Sequence, residues 1–354
     1  MTPREYPGAF DEIPDVRLPW WRQGAITAAE LQTKQFPPLR FVVPDLIPEG
    51  LTLLAGKPKV GKSWMVLDIA IAVASGRYTL GNLKPEQGDV LYLALEDGER
   101  RLQRRLTKLL PSFAEEWPRR LLLRTEWKRL NEGGLDAINE WCKSVQKPTL
   151  AIVDTIEKIR PLPRQNVTSY SHDYHALAGL QNLANEQNLG IVATTHLRKA
   201  EADDRFDTVS GTLGLTAAVD TILVLENRQG TPTLCIRGRD IEEVEKAMRL
   251  NQNCKWEILG AAADVARSDS RAKIMAVMKE ASEPMRPADI AATTGLVRNH
   301  VYQLLHRMGS DGEVVKYHGY YVHPGRQDLL EAFDRKRRKM SDLAKEALEV
   351  KRKN

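Results

Sequence analysis

One eight-residue segment, Gly56–Ser63, constrains the fold of this 354-residue chain more than any other feature. It follows the β-rich run Leu51–Ala55 and leads into the apolar helical run Lys62–Ser75. Glycines let backbone N–H groups converge on an anion, and a helix that begins there turns its positive end toward that anion. Lys62 then reaches the β- and γ-phosphates of a nucleotide, and the Ser63 hydroxyl coordinates Mg²⁺. The predicted ATP-binding residues are Gly56, Lys57, Pro58, Lys59, Val60, Gly61, Lys62, Ser63 and Trp64.

Short β-rich runs alternate with helical patterns from Leu51 to about residue 260. This alternation predicts an α/β fold with a mainly parallel sheet and helices on both faces. Ligands of such sheets bind beyond the carboxyl ends of the strands. The predicted strands are Leu51–Ala55, Asp89–Leu95, Leu121–Arg124, Thr149–Asp154, Gly190–Thr195, Asp220–Leu225 and Thr233–Arg237.

Two carboxylates end predicted strands, Glu96 after Asp89–Leu95 and Asp154 at the end of Thr149–Asp154. An aspartate in this position holds Mg²⁺ through its water shell, which is the role predicted for Asp154. Glu96 is suited to orient or deprotonate the attacking water. The alternatives are a turn-forming aspartate and an acidic start to the helix Glu99–Leu110. Beside a phosphate loop, the pattern favours a hydrolytic site.

His196 follows the buried run Gly190–Thr195 and ends the polar sequence Thr-Thr-His. A histidine at that edge of the sheet lies where the γ-phosphate is expected, so we predict that it senses this phosphate. The alternative is a structural histidine at a strand end.

Arg237 and Arg239 flank Gly238 at the end of the last predicted strand. Residues two apart on an extended chain project to the same side. Such a pair is suited to reach a phosphate in a neighbouring subunit, where one of them acts as an arginine finger and makes hydrolysis depend on assembly. The alternative is a surface ion pair with Asp240, Glu242 or Glu243.

These elements, in this order and spacing, resemble the RecA-like ATPases, and most closely the RepA-like hexameric replicative helicases of plasmids and phages. The resemblance covers about residues 35 to 260. The residues that carry it are Gly56–Ser63, Leu95–Glu99 with Arg104 and Arg105, Asp154, His196, Ser210–Thr212 and Arg237–Arg239.

The resemblance implies a role for each of these groups. It makes Glu96 the catalytic base and Asp154 a magnesium residue. It implies that His196 couples nucleotide state to DNA binding and that Arg237 and Arg239 act across the subunit interface. Together with Lys62, these residues form the predicted catalytic set.

In that family two loops line the central channel and hold single-stranded DNA. They correspond here to about residues 160–171 and 198–209. The predicted contacts are Arg160 and Arg164 in the first loop, and Arg198 and Lys199 in the second. The second loop continues with acidic residues, and the alternative is a pair of mobile surface loops.

The β-rich pattern stops near Gly260. Residues 261–269 are mostly small or polar, which predicts a linker. Helices over Ser270–Ala281, Pro287–Thr293 and Val297–Met308, followed by a hairpin, predict a winged helix-turn-helix domain. Its third helix offers groups that contact phosphates and base edges. The alternative is a winged helix that docks protein. The predicted DNA contacts are Arg298, Asn299, Gln303 and Arg307, with His300 on the same face.

Composition excludes several other classes of protein. Cys142, Cys235 and Cys254 are dispersed, which argues against a disulfide framework or a zinc site. Without an apolar leader or a long apolar run, we expect a cytoplasmic protein. The net charge is +5, and the stretch from Gly325 carries most of it. The expected divisions are an N-terminal arm 1–45, an ATPase domain 46–260, a linker 261–269, a winged helix 270–324 and a basic helical tail 325–354.

The sequence as a whole predicts an ATPase that assembles as a homo-oligomer, expected to be a hexamer. It would use ATP and Mg²⁺ to translocate on and unwind DNA in the replication of a mobile element, with other replication proteins as further partners. The competing hypothesis is an ATP-dependent DNA-binding regulator or recombination mediator that does not unwind DNA.

Overall fold

The structure, a computed structural model, describes residues 20–110, 116–162, 169–197, 204–209, 213–228 and 230–353. The chain divides into two compact units, Met1–Arg40 and Phe41–Asn354. The expected N-terminal arm therefore ends near residue 40 and not near residue 45. The reason is that strand β1, Phe41–Val43, pairs with β2, Ile47–Pro48, inside the second unit.

The described part of the first unit contains a helix, α1, over Ala28–Thr33. Its first turn is capped reciprocally: the Glu30 N–H donates to Thr27 Oγ1 at 3.2 Å, and the Thr27 N–H donates to Glu30 Oε2 at 2.7 Å. This capping box satisfies two N–H groups that a helix start leaves without partners.

A nine-stranded sheet organises the second unit. Its strand order is β11-β10-β9-β8-β3-β7-β6-β4-β5. The strands are β3 (Gly50–Gly56), β4 (Asp89–Ala94), β5 (Leu121–Arg124), β6 (Pro148–Asp154), β7 (Gly190–His196), β8 (Thr221–Arg228), β9 (Thr231–Gly238), β10 (Val244–Leu250) and β11 (Trp256–Ala261).

Strands β3 to β8 run parallel, and β9, β10 and β11 extend the sheet in antiparallel pairing. Side chains of β4 alternate between the two faces: Val90 and Tyr92 pack in one apolar core, whereas Leu91 and Leu93 pack in the other. This period of two buries both faces of each central strand. The predicted α/β fold with a mainly parallel sheet is confirmed.

Helices cover both faces of the sheet. Residues of α2 (Lys62–Ser75) and α3 (Glu99–Leu109) belong to the first core, whereas residues of α4 (Gly134–Ser144) and α5 (Ser169–Gln187) belong to the second. The boundaries predicted for the first two, Lys62–Ser75 and Glu99–Leu110, are within one residue of those observed. The helices of this part are α2 (Lys62–Ser75), α3 (Glu99–Leu109), α4 (Gly134–Ser144), α5 (Ser169–Gln187) and α6 (Leu213–Ala217).

The expected linker over residues 261–269 is wrong, because these residues form the first half of helix α7, Ala262–Glu280. Strand β11 ends at Ala261, so the sheet continues into α7 without a loop. The stretch contains three alanines after Ala261 and neither glycine nor proline, which suits a helix. An i,i+3 ion pair between Asp264 and Arg267, at 2.9 Å, supports its first turns.

Beyond α7, the chain forms α8 (Pro287–Thr294), α9 (Arg298–Ser310) and a hairpin of β12 (Val315–Tyr317) and β13 (Tyr320–Val322). These elements enclose a third apolar core, which contains Ile274 of α7, Ile290 of α8 and Leu305 of α9. The predicted succession of three helices and a hairpin is therefore present.

The tail is helical, as expected: α10 spans Asp328–Lys353. Its described basic residues, from Arg335 to Lys339, are all exposed. Within the described ranges, no helix combines the length and apolar character that crossing a membrane requires.

Candidate functional site

The phosphate-binding loop joins β3, at the middle of the parallel sheet between β8 and β7, to helix α2. Gly61 precedes α2 with a φ of 109°, a left-handed conformation that glycine adopts without steric cost. No side chain caps the start of α2, so its first N–H groups face the loop without a side-chain acceptor. This end of α2 is therefore suited to bind an anion.

Lys62 is buried inside this loop, with 6% of its surface exposed. Its Nζ donates to the Gly56 carbonyl at 2.7 Å and to the Lys57 carbonyl at 3.3 Å, and lies 3.3 Å from Nδ1 of His196. Burial lowers the pKa of Lys62, and Asp154 and other nearby carboxylates oppose this shift. A nucleotide phosphate offers this ammonium group a stronger acceptor than the two carbonyls do.

Asp154 is buried at the carboxyl end of β6. Two hydroxyl groups hold its carboxylate: Tyr92 donates to Oδ2 at 3.0 Å and Thr194 donates to Oδ1 at 2.6 Å. Burial, together with Asp154, raises the pKa of Tyr92 well above its usual value, so the phenol keeps its proton and remains a donor. The side chain of Asp154 is therefore fixed in position before any ligand binds.

Two buried oxygens beside Asp154 have no hydrogen-bond partner among the described residues: Thr155 Oγ1 and Glu157 Oε2. The other oxygen of Glu157 accepts from the Thr195 hydroxyl at 2.6 Å. Buried polar groups are normally satisfied, so these two oxygens indicate a place for ordered water or a hydrated ion.

These oxygens fit a hydrated Mg²⁺, which prefers oxygen ligands, keeps several waters and is bound together with substrate phosphates. Ser63 would hold the ion directly, and Asp154 through water. The described residues contain no cluster of three histidine, cysteine or carboxylate side chains that would form an all-protein metal site. When bound, the ion neutralises charge on the phosphates.

Glu96 lies two residues beyond the end of β4, and it is exposed. The adjacent Asp97 is buried and pairs with Arg101 at 3.0 Å and with Arg105. The guanidinium of Arg105 also lies over the ring of Trp64, 5.4 Å from its centroid. Of the two neighbouring carboxylates, Asp97 is thus held in a local ion-pair network, and Glu96 faces the cleft.

A cleft of about 550 Å³ collects most of the predicted nucleotide residues at the carboxyl ends of the parallel strands. It brings Lys62, Glu96, Asp154 and His196 together, whereas Gly56, Lys57 and Val60 lie in the loop but not in the cleft wall. The cleft is lined by Pro58, Lys59, Gly61, Lys62, Ser63, Trp64, Glu96, Arg101, Arg105, Asp154, Thr155 and His196.

Arg237 and Arg239 lie at the opposite end of the sheet from this cleft. Gly238 between them pairs with Thr221 of β8, and Thr221 pairs with Thr52 of β3. Thr52 precedes Gly56 by four residues, or about 13 Å of strand. The two arginines are therefore distant from the cleft of their own chain.

Both arginines have acidic partners within the chain. Arg237 pairs with Asp204 and with Glu243, each at 2.8 Å, and stacks over the Phe206 ring at 3.9 Å. Arg239 pairs with Asp220 at 3.1 Å and remains more than half exposed. The ion pair with Glu243 was one of the alternatives that the sequence left open.

The predicted channel residues are placed only in part. Arg160 lies six residues beyond the end of β6, and its backbone carbonyl accepts a hydrogen bond from the Arg129 side chain at 2.7 Å. Arg164, Arg198 and Lys199 lie outside the described residues, as does Ser210–Thr212.

Helix α9 presents its predicted residues to solvent. Its buried positions face the third core, and a polar face is left exposed. The guanidinium of Arg298 lies over the Tyr302 ring, 5.7 Å from its centroid. The exposed predicted residues are Arg298, Asn299, His300, Gln303 and Arg307.

Several residues at the site were not predicted from the sequence, among them Glu157, Thr155 and Trp256. For Glu157, the sequence offered one signal of a place at the site, its position three residues after Asp154. In the structure it lies in a 3₁₀ turn. Trp256 of β11 is buried and donates from Nε1 to the Gly61 carbonyl at 3.1 Å. No sequence pattern connects Trp256 with Gly61, because 195 residues separate them along the chain.

Comparisons with known proteins give one family and several structures of limited similarity. Residues 22–202 match the AAA domain family. A DnaB-like replicative helicase, solved with attention to its interactions with primase, is 13% identical with a TM-score of 0.48, and the match covers 59% of this chain and 57% of that protein. A KaiC-like protein from the archaeon Pyrococcus horikoshii is 14% identical with a TM-score of 0.45, over 62% of this chain and 99% of that one. The RadB recombinase is 18% identical with a TM-score of 0.43, and the match covers 60% of this chain and 91% of that protein.

A search of curated proteins finds no match. The family match contains the phosphate-binding loop, Glu96, Asp154 and His196, and it spans just over half of the chain. The protein therefore belongs to the AAA domain family of P-loop ATPases.

Proposed function

We propose that this protein is a ring-forming DNA helicase of the RepA-like type, a hexamer that uses ATP hydrolysis to translocate on and unwind DNA in the replication of a mobile element. One observation carries the hydrolytic part: Lys62, Glu96, Asp154 and His196, from four separate segments, line one cleft at the ends of neighbouring parallel strands. Fixed charges around a phosphate group are the main requirement of phosphoryl transfer.

Lys62, Glu96 and His196 each have a distinct part in hydrolysis. Lys62 leaves the loop carbonyls and binds the γ-phosphate, since a phosphate is the stronger acceptor. Glu96, exposed to the cleft, takes a proton from the attacking water. His196 lies 3.3 Å from Lys62 Nζ and therefore registers whether that ammonium group holds the loop or the phosphate.

The position of the basic pair supports assembly. Arg237 and Arg239 lie at the far end of the sheet from their own cleft, so any phosphate that they reach belongs to another subunit. Arg239 is the more exposed, with 57% of its side chain accessible. We infer that it is the finger, and that it exchanges Asp220 for a phosphate when subunits meet.

DNA contacts are assigned to two regions. Arg160, Arg164, Arg198 and Lys199 would hold single-stranded DNA in the ring. The exposed face of α9, in a module of three helices and a hairpin, would contact duplex DNA as a winged helix does. Helicases of a replisome also bind other replication proteins, which is the further class of partner expected here.

Strand displacement tests this proposal directly. We expect the wild-type protein to separate a forked DNA duplex in the presence of ATP and Mg²⁺. Lys62→Ala removes the phosphate-binding cation, and Arg239→Ala removes the finger, so neither variant should displace a strand. A wild-type protein that hydrolyses ATP and binds DNA without displacing a strand would contradict the helicase assignment.

The ion pairs of Arg237 and Arg239 favour a second function. In the single chain, Asp204, Glu243 and Asp220 hold both arginines away from any phosphate. If these ion pairs break only when DNA or a partner protein binds, ATP hydrolysis depends on that binding. The protein would then act as an ATP-dependent DNA-binding regulator or recombination mediator. Its ATP hydrolysis would be stimulated by DNA, and strand displacement would be absent.

A further inference from the structure

An open groove of about 670 Å³ lies between α7, the α8–α9 turn and α9, away from the nucleotide cleft. Its wall includes the first half of α7, where the sequence predicted a linker. We call it the α7–α9 groove. It is lined by Ala263, Ala266, Arg267, Ser270, Lys273, Thr294, Gly295, Leu296, Val297, His300, Gln303, Leu304 and Arg307.

The lining of the α7–α9 groove contains basic residues from two helices and no acidic residue. Arg267 and Lys273 come from α7, whereas His300 and Arg307 come from α9, and all four side chains are exposed. Arg267 shares its charge with Asp264 at 2.9 Å. Lys273 and Arg307 form no ion pair with any described residue. The groove therefore presents a concentrated positive charge.

The nearest carboxylates at the end of α9 do not neutralise this charge. Asp311 and Glu313 pair with Arg271 at 3.0 and 2.7 Å. Arg271 belongs to α7 but not to the groove lining. Because Asp311 and Glu313 both pair with Arg271, they do not neutralise Lys273 and Arg307, and these two cations can bind an external anion.

Two further features point to a phosphate ligand. Ser270 of α7 lines the groove and contributes a hydroxyl donor to its wall. Helix α9 begins beside it, after Val297, with no side-chain cap on its first N–H groups. A hydroxyl and an uncapped helix start are both donors, and phosphate oxygens accept from such groups.

We propose that the α7–α9 groove binds the phosphodiester backbone of duplex DNA, with Lys273 and Arg307 as the principal phosphate contacts. The inference rests on the proposed function and deepens it, because it adds α7 to a DNA surface that the sequence placed on α9 alone. The backbone lies along the groove while Asn299 and Gln303 of α9 face the base edges, which amide side chains are suited to pair with.

An acidic protein segment is the competing occupant, since it also carries repeated negative charge. Duplex DNA is favoured because α9 places side chains that read base edges both in the groove lining, Gln303, and next to it, Arg298 and Asn299. A peptide would make no use of this combination.

The test is the salt dependence of binding by the full chain. A fluorescein-labelled 30-base-pair duplex is titrated by anisotropy between 50 and 300 mM salt, and an oligothymidine strand is titrated in parallel. A plot of log affinity against log salt concentration has a negative slope, and each lost phosphate contact makes this slope shallower by about 0.9 for duplex DNA. We expect Lys273→Ala and Arg307→Ala each to show this drop, and the double variant to show about 1.8.

Lys279→Ala is the matched control, because Lys279 is an exposed cation of the same helix that does not line the groove. Its slope should equal that of the wild type. Thermal unfolding of each variant is measured to show that the fold is unchanged, and ATP hydrolysis by Lys279→Ala is measured to show that the control keeps an intact nucleotide cleft.

Three results would overturn the inference, and they are distinguishable from one another. If the double variant keeps the wild-type slope while the wild type binds both DNAs, the groove is not a DNA surface and the proposed function stands. If the wild type binds neither DNA, the proposed function also fails. If a poly-glutamate peptide binds through Lys273 and duplex DNA does not, the groove docks acidic protein.

Discussion

The indole N–H of Trp256 donates a hydrogen bond to the backbone carbonyl of Gly61 across 3.1 Å, although 195 residues separate the two along the chain. The same ring fills the space beside Gly61, where a Cβ atom would lie 3.0 Å from it. Gly61 ends the phosphate-binding loop, and Trp256 begins β11, the strand that continues directly into α7. The loop is thus held from the edge of the sheet that leads to the C-terminal module.

We expect Trp256→Phe to weaken ATP binding about fivefold, because the variant keeps an aromatic ring but loses one hydrogen bond with a net contribution of about 1 kcal/mol. Titration with a fluorescent ATP analogue measures this change. Trp141→Phe is the control: Trp141 is also buried, but it packs in the core on the other face of the sheet. Equal effects of the two substitutions would show that Trp256 has no special role at the loop.

Mixing variants tests whether catalysis occurs across a subunit interface. We expect Arg239→Ala to lower ATP hydrolysis by roughly a thousandfold, the effect of losing an arginine finger. A Lys62→Ala subunit is inactive but supplies an intact Arg239, so mixing the two inactive proteins should restore measurable hydrolysis. Activity that stays absent in the mixture would contradict action in trans.

The control for Arg239 is Arg249→Ala. Arg249 is an exposed arginine of β10 that pairs with Glu257 at 2.7 Å, as Arg239 pairs with Asp220. Exposed ion pairs contribute about 0–1 kcal/mol, so neither substitution should unfold the protein. Hydrolysis should fall only for Arg239→Ala.

Tyr92→Phe removes one of the two hydroxyl groups that fix Asp154. A buried hydrogen bond to a charged group is worth about 1.5–3 kcal/mol, so we expect the free energy of unfolding to fall by roughly that amount. Because Asp154 is then less constrained, half-maximal hydrolysis should require more Mg²⁺. Urea denaturation and a Mg²⁺ titration measure the two effects. A stability loss without a change in the Mg²⁺ requirement would make Tyr92 purely structural.

Asp68 of α2 gives a prediction about pH. It is buried, accepts from the Thr79 hydroxyl at 2.7 Å, and has a raised pKa, chiefly because of burial. The folded chain therefore holds this proton more tightly than the unfolded chain, and the associated stability is full below the unfolded pKa and lost as pH rises through the folded pKa. Asp68→Asn cannot titrate. We expect its stability relative to wild type to increase from about pH 4 upward in urea denaturation.

A constant difference between Asp68→Asn and wild type across that range would contradict the prediction. It would mean that Lys255, whose Nζ lies 3.9 Å from Asp68, compensates fully for the burial of the carboxylate.

Much of the fold and of the nucleotide cleft was predictable from local sequence. The spacing Gly56–Ser63 specifies the loop, and short β-rich apolar runs that alternate with helical patterns specify the strands of the sheet. Because the carboxyl ends of parallel strands meet at one edge, residues such as Glu96, Asp154 and His196 could be expected in one place without knowledge of the strand order. These features depend on a few consecutive residues, and local periodicity is sufficient to reveal them.

Only the tertiary structure decided the contacts between distant segments. It determined that Trp256 braces Gly61, that Tyr92 and Thr194 fix Asp154, and that Asp220 holds Arg239. It also showed that the residues of the expected linker form the first half of α7, and this part of the helix contributes one wall of the α7–α9 groove. The reason is that each of these contacts depends on strand order and on packing between elements far apart in the chain, which no pattern of neighbouring residues specifies.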